Sequence, residues 1–300
     1  MLISQNTPNG LYVLPFDHQT GLWKLFGWNA PLSPENENLM RKTRMLTYEG
    51  YLYGLSLGIP KSQTAILTDD LYGNEVLQRA HAEHTPIIYT LEKSGQSYLD
   101  FIHNDWRERA LRDRPDWIKT LVRYNPTANK NDLSTTLENL KLVSDFAHDN
   151  DFGFMIEPLV PPTDEQKDIM DFDHVLRPEL TVQMIREIYD YGIYPNIWKI
   201  EGLDTIDFYT HVSEAISLYD SNARIVILGR NESLDNVKKW LSVGAVESSV
   251  VGFAVGRTVF LDAIQQFISG NITSEEARKL IGQNYYELYK TFYDAKITSN

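Results

Sequence analysis

Ile197-Trp198-Lys199-Ile200-Glu201-Gly202 reads as a short buried β-strand with a lysine at its centre. An unpaired ammonium in such a place costs several kcal/mol, so the lysine needs a reason. One reason is chemical: desolvation favours the neutral amine, which can attack a carbonyl and form a Schiff base. The other is an ion pair with Glu201, which shares the strand face at period two.

Working outward, seven further apolar, β-rich runs end in turn residues. With the first they span Leu11 to Asp17, Thr64 to Asp70, Pro86 to Lys93, Trp117 to Tyr124, Phe152 to Val160, Ile197 to Leu203, Arg224 to Arg230 and Val250 to Arg257. Most are continuously apolar, as parallel strands covered by helices require. Helical periodicity predicts helices over Asn38 to Leu57, Asn74 to His84, Ser97 to Leu111, Leu133 to Asn150, Pro178 to Tyr191, Asp204 to Tyr219 and Leu234 to Val243. A last helix opens at Thr273 and Glu276 in capping-box spacing, after Gly270 closes the one before. Eight strand-helix pairs in about 250 residues are the rhythm of a single-domain α/β (β/α)₈ TIM barrel. A doubly wound sheet expects a glycine-rich phosphate turn after the first strand, and Asp17-His18-Gln19-Thr20-Gly21 is not one.

Composition narrows the function. The 300 residues are 42% hydrophobic, enough for a sizeable core, and contain no cysteine, which excludes thiolate chemistry and disulfides. A net charge of −13 argues against nucleic acid and anionic membrane surfaces as partners. Met1 to Gly10 is polar and unlike a signal peptide, and no apolar run reaches the ~20 residues of a membrane span. The expectation is a soluble cytoplasmic protein.

Barrel enzymes work at the C-terminal ends of their strands. Asp17, His18 and Gln19 fall at the first such end, Glu92 and Lys93 at the third, Lys119 and Arg123 at the fourth, Glu157 at the fifth, and Lys199 and Glu201 at the sixth. Lys119 and Arg123 share one face, so a second cation can stand near Lys199. Glu157 lies in an apolar strand, where desolvation should raise its pKa and make it a general acid; the alternative is a structural partner for Lys119 or Lys199. The seventh and eighth ends read Gly229-Arg230 and Gly256-Arg257, a pattern suited to holding a phosphate. Asp69 and Asp70 end a strand, and His81 and His84 read as surface histidines rather than metal ligands. Trp23, Phe26 and Trp28 should cover the barrel or an interface. The exposed part of Tyr285, Tyr286, Tyr289 and Tyr293 suits a subunit contact in a homo-oligomer.

Leu14 to His18, Lys119 to Pro126, Ile156 to Pro161, Trp198 to Asp204, Leu228 to Arg230 and Gly252 to Thr258 together resemble the 2-deoxy-5-keto-gluconate 6-phosphate aldolase domain family of bacterial myo-inositol catabolism. More distantly, the chain is similar to the class I tagatose-bisphosphate aldolases. The resemblance spans almost the whole chain, in order. It implies a Schiff-base lysine at Lys199, surrounded by Asp17, Lys119 and Glu157, and a phosphate held by Arg257 with the Gly229 loop. Arg230, Gly256, Arg123, His18, Gln19 and Glu201 are the further candidate substrate contacts. Gln19 stands where that family commonly has arginine. The implied substrate is a phosphorylated keto sugar or keto sugar acid, cleaved to dihydroxyacetone phosphate and an aldehyde without cofactor or metal. Two other readings are a metal-assisted aldolase or isomerase on the same barrel, which needs carboxylate and histidine ligands, and a barrel that binds sugar phosphates without chemistry.

Overall fold

The computed structural model describes residues 8–299; the polar N-terminal stretch weighed as a signal peptide lies, up to residue 7, outside them. Eight parallel strands close into a barrel in sequence order. They are β1 (Leu11–Pro15), β2 (Thr64–Thr68), β3 (Ile87–Thr90), β4 (Trp117–Arg123), β5 (Gly153–Leu159), β6 (Ile197–Glu201), β7 (Arg224–Leu228) and β8 (Val250–Ala254). All eight predicted strands are present, their ends moved inward by up to three residues. The (β/α)₈ architecture is therefore observed, with β1 paired to β8 as well as to β2.

The helices are α1 (Thr20–Leu25), α2 (Pro34–Ser56), α3 (Asp70–Ala82), α4 (Trp106–Asp113), α5 (Lys130–Asp149), α6 (Phe172–Val175), α7 (Arg177–Asp190), α8 (Ile206–Ser217), α9 (Leu234–Gly244), α10 (Arg257–Ile268) and α11 (Ser274–Ser299). The helix expected over Ser97 to Leu111 is corrected: only α4 is helical. Residues before it turn back along the segment that follows β3, where Phe101 bridges Glu92 in antiparallel fashion. Long-range bonds override local periodicity here, because Leu99 donates its N–H to Thr136 and accepts from the Asn139 amide of α5. The predicted capping box holds: the Glu276 N–H donates to Thr273 Oγ1, and Glu276 Oε2 accepts from the Thr273 N–H. Gly270 ends α10 with φ +72°.

Burial sorts the side chains into two apolar masses. The larger lies between sheet and helices. The smaller, including Leu11, Val13, Leu67, Ile88, Met155, Ile197 and Val226, plugs the barrel interior. Each buried Leu, Ile or Val contributes about 1.5–3 kcal/mol. Strand alternation then places the next inward residue one layer up, toward the C-terminal mouth. Met155 is followed two positions later by Glu157, Ile197 by Lys199, and Trp117 by Lys119. The apolar plug thus becomes the floor of a charged layer.

Other expectations resolve in place. Trp23 packs edge-on to Tyr72, and Phe26 lies against Trp28, covering the core near β1. Tyr285 is fully buried and donates to the Tyr12 carbonyl at 2.6 Å, so it seals the barrel rather than offering a subunit surface. Tyr293 remains 43% exposed. Asp69 caps α3, accepting from the Tyr72 N–H, and pairs with buried Arg44. His81 and His84 are exposed.

Candidate active site

The charged layer lines a cavity of about 340 Å³ at the mouth of the barrel. Lys119, only 1% exposed, stands at its centre. Its Nζ lies 3.0 Å from Asp17 Oδ2, 2.6 Å from Glu92 Oε1 and 2.7 Å from Glu157 Oε2. Burial alone would strip its proton, but the three carboxylates outweigh burial and hold its pKa well above the ordinary lysine value. Lys119 is therefore a fixed cation. The other Glu157 oxygen, Oε1, lies 2.8 Å from Lys199 Nζ.

The expectation for Glu157 is overturned in direction. Burial pushes its pKa up, yet Lys119 and then Lys199 pull harder and bring it below the ordinary glutamate value. Asp17 is likewise held strongly ionised, burial being outweighed by Lys119, with His18, Lys199 and a 2.6 Å bond from Thr90 adding to the effect. Glu92 behaves oppositely. Burial, the neighbouring Asp17 and Glu157 raise it to about 7 despite its bond from Lys119. In the sequence Glu92 stands only as a charge at a strand end, since nothing local shows which carboxyl loses the competition for Lys119.

The Lys199–Glu201 ion pair weighed from the sequence does not form. Glu201 turns to Arg230, whose Nε is 3.1 Å from Oε1, and to Arg177, 3.9 Å from Oε2. It also accepts from the Val160 N–H. Arg177 is a missed residue: a 1% exposed guanidinium at the start of α7, bonded through Nε to Asp173. A charged residue just before Pro178 at a helix start gave no signal that it would be buried. Arg230, expected as a phosphate ligand, lines the cavity but is forked onto Asp173 at 2.7 and 3.2 Å. Of the two cations on β4, Lys119 is buried and Arg123 is exposed at the rim, donating to the Gln96 carbonyl.

Arg257 begins α10, so the first N–H groups of that helix have no partner within it. Among the described residues no ion pair holds Arg257, and burial, partly offset by Glu157 and Asp17, lowers its pKa. Gly256 permits this turn: a Cβ there would lie 2.3 Å from the Pro15 carbonyl oxygen. His18 is half-buried, edge-on to Phe260, and neutral, its pKa pushed down to about 3 chiefly by desolvation. Gln19, 7% exposed, and Gly229 complete the wall. The arrangement offers a buried lysine with an ionised carboxylate beside it, and a guanidinium at a helix N-terminus two strands away.

Residues 3–296 match the family described as "Uncharacterized protein conserved in bacteria (DUF2090)". The chain belongs to this family. Comparison with curated proteins finds no match. Among solved structures, this DUF2090 protein is similar to the crystal structure of an archaeal fructose 1,6-bisphosphate aldolase, with a TM-score of 0.57 and 13% identity over 95% of this chain and 94% of that one. The same values describe its likeness to an archaeal fructose-1,6-bisphosphate aldolase with the catalytic Lys covalently bound to the carbinolamine intermediate of the substrate. Cgl0159 from Corynebacterium glutamicum gives a TM-score of 0.59 and 15% identity over 93% of this chain and 86% of that one. At these identities the likeness of the DUF2090 chain to each is one of fold. Among its described residues, no helix is long and apolar enough to cross a membrane.

Proposed function

We propose that this protein is a class I, Schiff-base aldolase acting on a phosphorylated keto sugar or keto sugar acid, such as 2-deoxy-5-keto-gluconate 6-phosphate. The observation that carries the reading is Lys199 Nζ, 4% exposed as a residue, 2.8 Å from an ionised Glu157 at the floor of the cavity. The fold shared with an archaeal aldolase whose catalytic Lys is covalently bound to the carbinolamine intermediate supports it.

Glu157 Oε1 takes one proton from the Lys199 ammonium, and the freed amine attacks the ketone carbon as Glu157 passes that proton to the carbonyl oxygen. It then takes a second proton from the nitrogen of the carbinolamine and gives it to the hydroxyl, which leaves as water, so that the iminium remains and Glu157 is ionised again. A carboxyl with lowered pKa is a strong donor once protonated, so the same group serves both steps. Lys119 sets that property by binding the other oxygen of Glu157. The iminium then draws electrons from the carbon-carbon bond one atom beyond it, releasing an aldehyde and leaving an enamine. Asp17, fixed between Thr90 and Lys119, orients substrate hydroxyls. Arg257 and the N-terminal N–H groups of α10 hold the phosphate and align the reacting end.

The test is borohydride reduction in the presence of dihydroxyacetone phosphate, followed by peptide mass spectrometry. Added mass on Lys199 is expected, and Lys199→Met should lose both the adduct and cleavage, the latter by roughly a thousandfold or more. A folded protein with no adduct on any lysine rejects the reading.

A further inference from the structure

We propose that Glu92 is the base that takes the hydroxyl proton as the carbon-carbon bond breaks, and the acid that then protonates the enamine carbon. The inference rests on the aldolase reading above and adds to it a group for the step that Lys199 and Glu157 leave unserved.

Three observations place Glu92 in this role. Its Oε1 is fixed by Lys119 at 2.6 Å, while Oε2, also buried, has no hydrogen-bond partner among the described residues. A buried carboxylate oxygen left open costs free energy unless a ligand supplies the bond. Glu92 also lines the cavity. Its backbone is clamped by the Phe101 bridge and by the bond from the Lys93 N–H to the Asp100 carbonyl, so the side chain projects from a rigid stem.

Topology supplies the direction. In a closed barrel with strands in sequence order, β3 lies across the mouth from β7. A phosphate anchored at the β7–β8 ends directs the rest of an extended substrate across Lys199 toward β3 and β4. The hydroxyl on the leaving fragment then falls on the Glu92 side.

The competing carboxylates are unsuited. Both oxygens of Glu157 are engaged, one by each lysine, and Asp17 Oδ2 takes bonds from both Thr90 and Lys119. Both are held ionised below the ordinary range. The charged groups facing Glu92 are Lys119, Asp17 and Glu157, and under burial they leave it titrating near 7, where one group can both accept and donate.

The step balances. Glu92 Oε2 takes the hydroxyl proton, the O–H electrons form the aldehyde carbonyl, and the carbon-carbon pair moves into the enamine. After the aldehyde departs, Glu92 gives the proton to the enamine carbon, restoring the iminium for hydrolysis and its own ionised state.

The test uses dihydroxyacetone phosphate in heavy water. In the wild type, borohydride fixes the ketose phosphate on Lys199, and the hydroxymethyl hydrogen beside the carbonyl exchanges with solvent, followed by NMR. Glu92→Gln should keep the adduct and lose the exchange by about a hundredfold or more, and Glu92→Ala should regain part of it with added formate. Exchange at the wild-type rate in folded Glu92→Gln overturns the assignment, and absence of the adduct in the wild type overturns the aldolase reading instead. If neither variant folds, the wild type decides: its exchange rate must rise with pH through about 7, and a flat profile rejects the role of Glu92.

Discussion

Glu201 Oε1 lies 3.1 Å from Arg230 Nε, so the carboxylate nearest to Lys199 along its own strand is spent on another partner. Strand geometry alone would pair Glu201 with Lys199, two positions away on the same face. The arginines from α7 and the end of β7 capture it instead, and Lys199 is left to Glu157, which arrives from the neighbouring strand.

Lys119→Met should be the most destabilising change at the mouth. It leaves Asp17, Glu92 and Glu157 buried around a missing cation, at a cost of about 3–5 kcal/mol. Urea denaturation at pH 7 measures the loss. Without Lys119 the carboxylates are protonated more readily in the folded state than in the unfolded one, so the deficit should shrink as pH falls toward 5; an undiminished deficit contradicts the electrostatic account.

Glu92 should make the wild type lose stability as pH rises. Its folded pKa of about 7 lies above the ordinary 4.5, so the folded state binds the extra proton between those values. Stability therefore falls across that window, by an amount on the order of 3 kcal/mol. Asp17 and Glu157, lowered in the folded state, act in the opposite sense at lower pH, where stability is lost as they are protonated. Glu92→Gln should flatten the fall between pH 5 and 7 in chemical denaturation; a variant curve parallel to that of the wild type would count against the assignment of that proton.

Arg257→Ala should weaken binding of a phosphorylated substrate by about ten- to a hundredfold, the worth of a hydrogen bond to a charged group. The same change should leave binding of the unphosphorylated sugar nearly untouched. Equal losses for the two ligands, measured by calorimetry, would show that Arg257 shapes the cavity rather than reading the phosphate.

Asp173→Ala should release residues 160–176 from the mouth. Asp173 holds Arg230 with two bonds and Arg177 with a third, and it sits on the short α6 within that connection. Limited proteolysis should cut this segment faster in the variant, while cleavage elsewhere stays unchanged. Equal rates would mean that packing, not the ion pairs, secures it.

The barrel was legible because its strands are apolar for their whole length and end in charges, a pattern that survives in one dimension. Lys199, Lys119, Glu157 and Asp17 were legible for the same reason. The balance among them was not. Whether Glu157 is acid or carboxylate depends on two lysines from the strands on either side of it, and Glu92 stands out only by the bond its second oxygen lacks. Arg230 read as a phosphate ligand because its partner, Asp173, lies 57 positions away in a connection without periodicity. The segment from Ser97 misled for a related reason: its backbone answers to Thr136 and Asn139, not to its own sequence.

The bond from Tyr285 to the Tyr12 carbonyl joins positions 273 residues apart and fastens the last helix over the first strand. Contacts so distant in sequence are the dearest in loop entropy and form late. During synthesis β1 emerges first and waits, with one edge unpaired, for β8 and α11 to leave the ribosome. The seam between the first and last strands is thus where a nascent barrel is open longest, and a chaperone that shields exposed strand edges would have its site there.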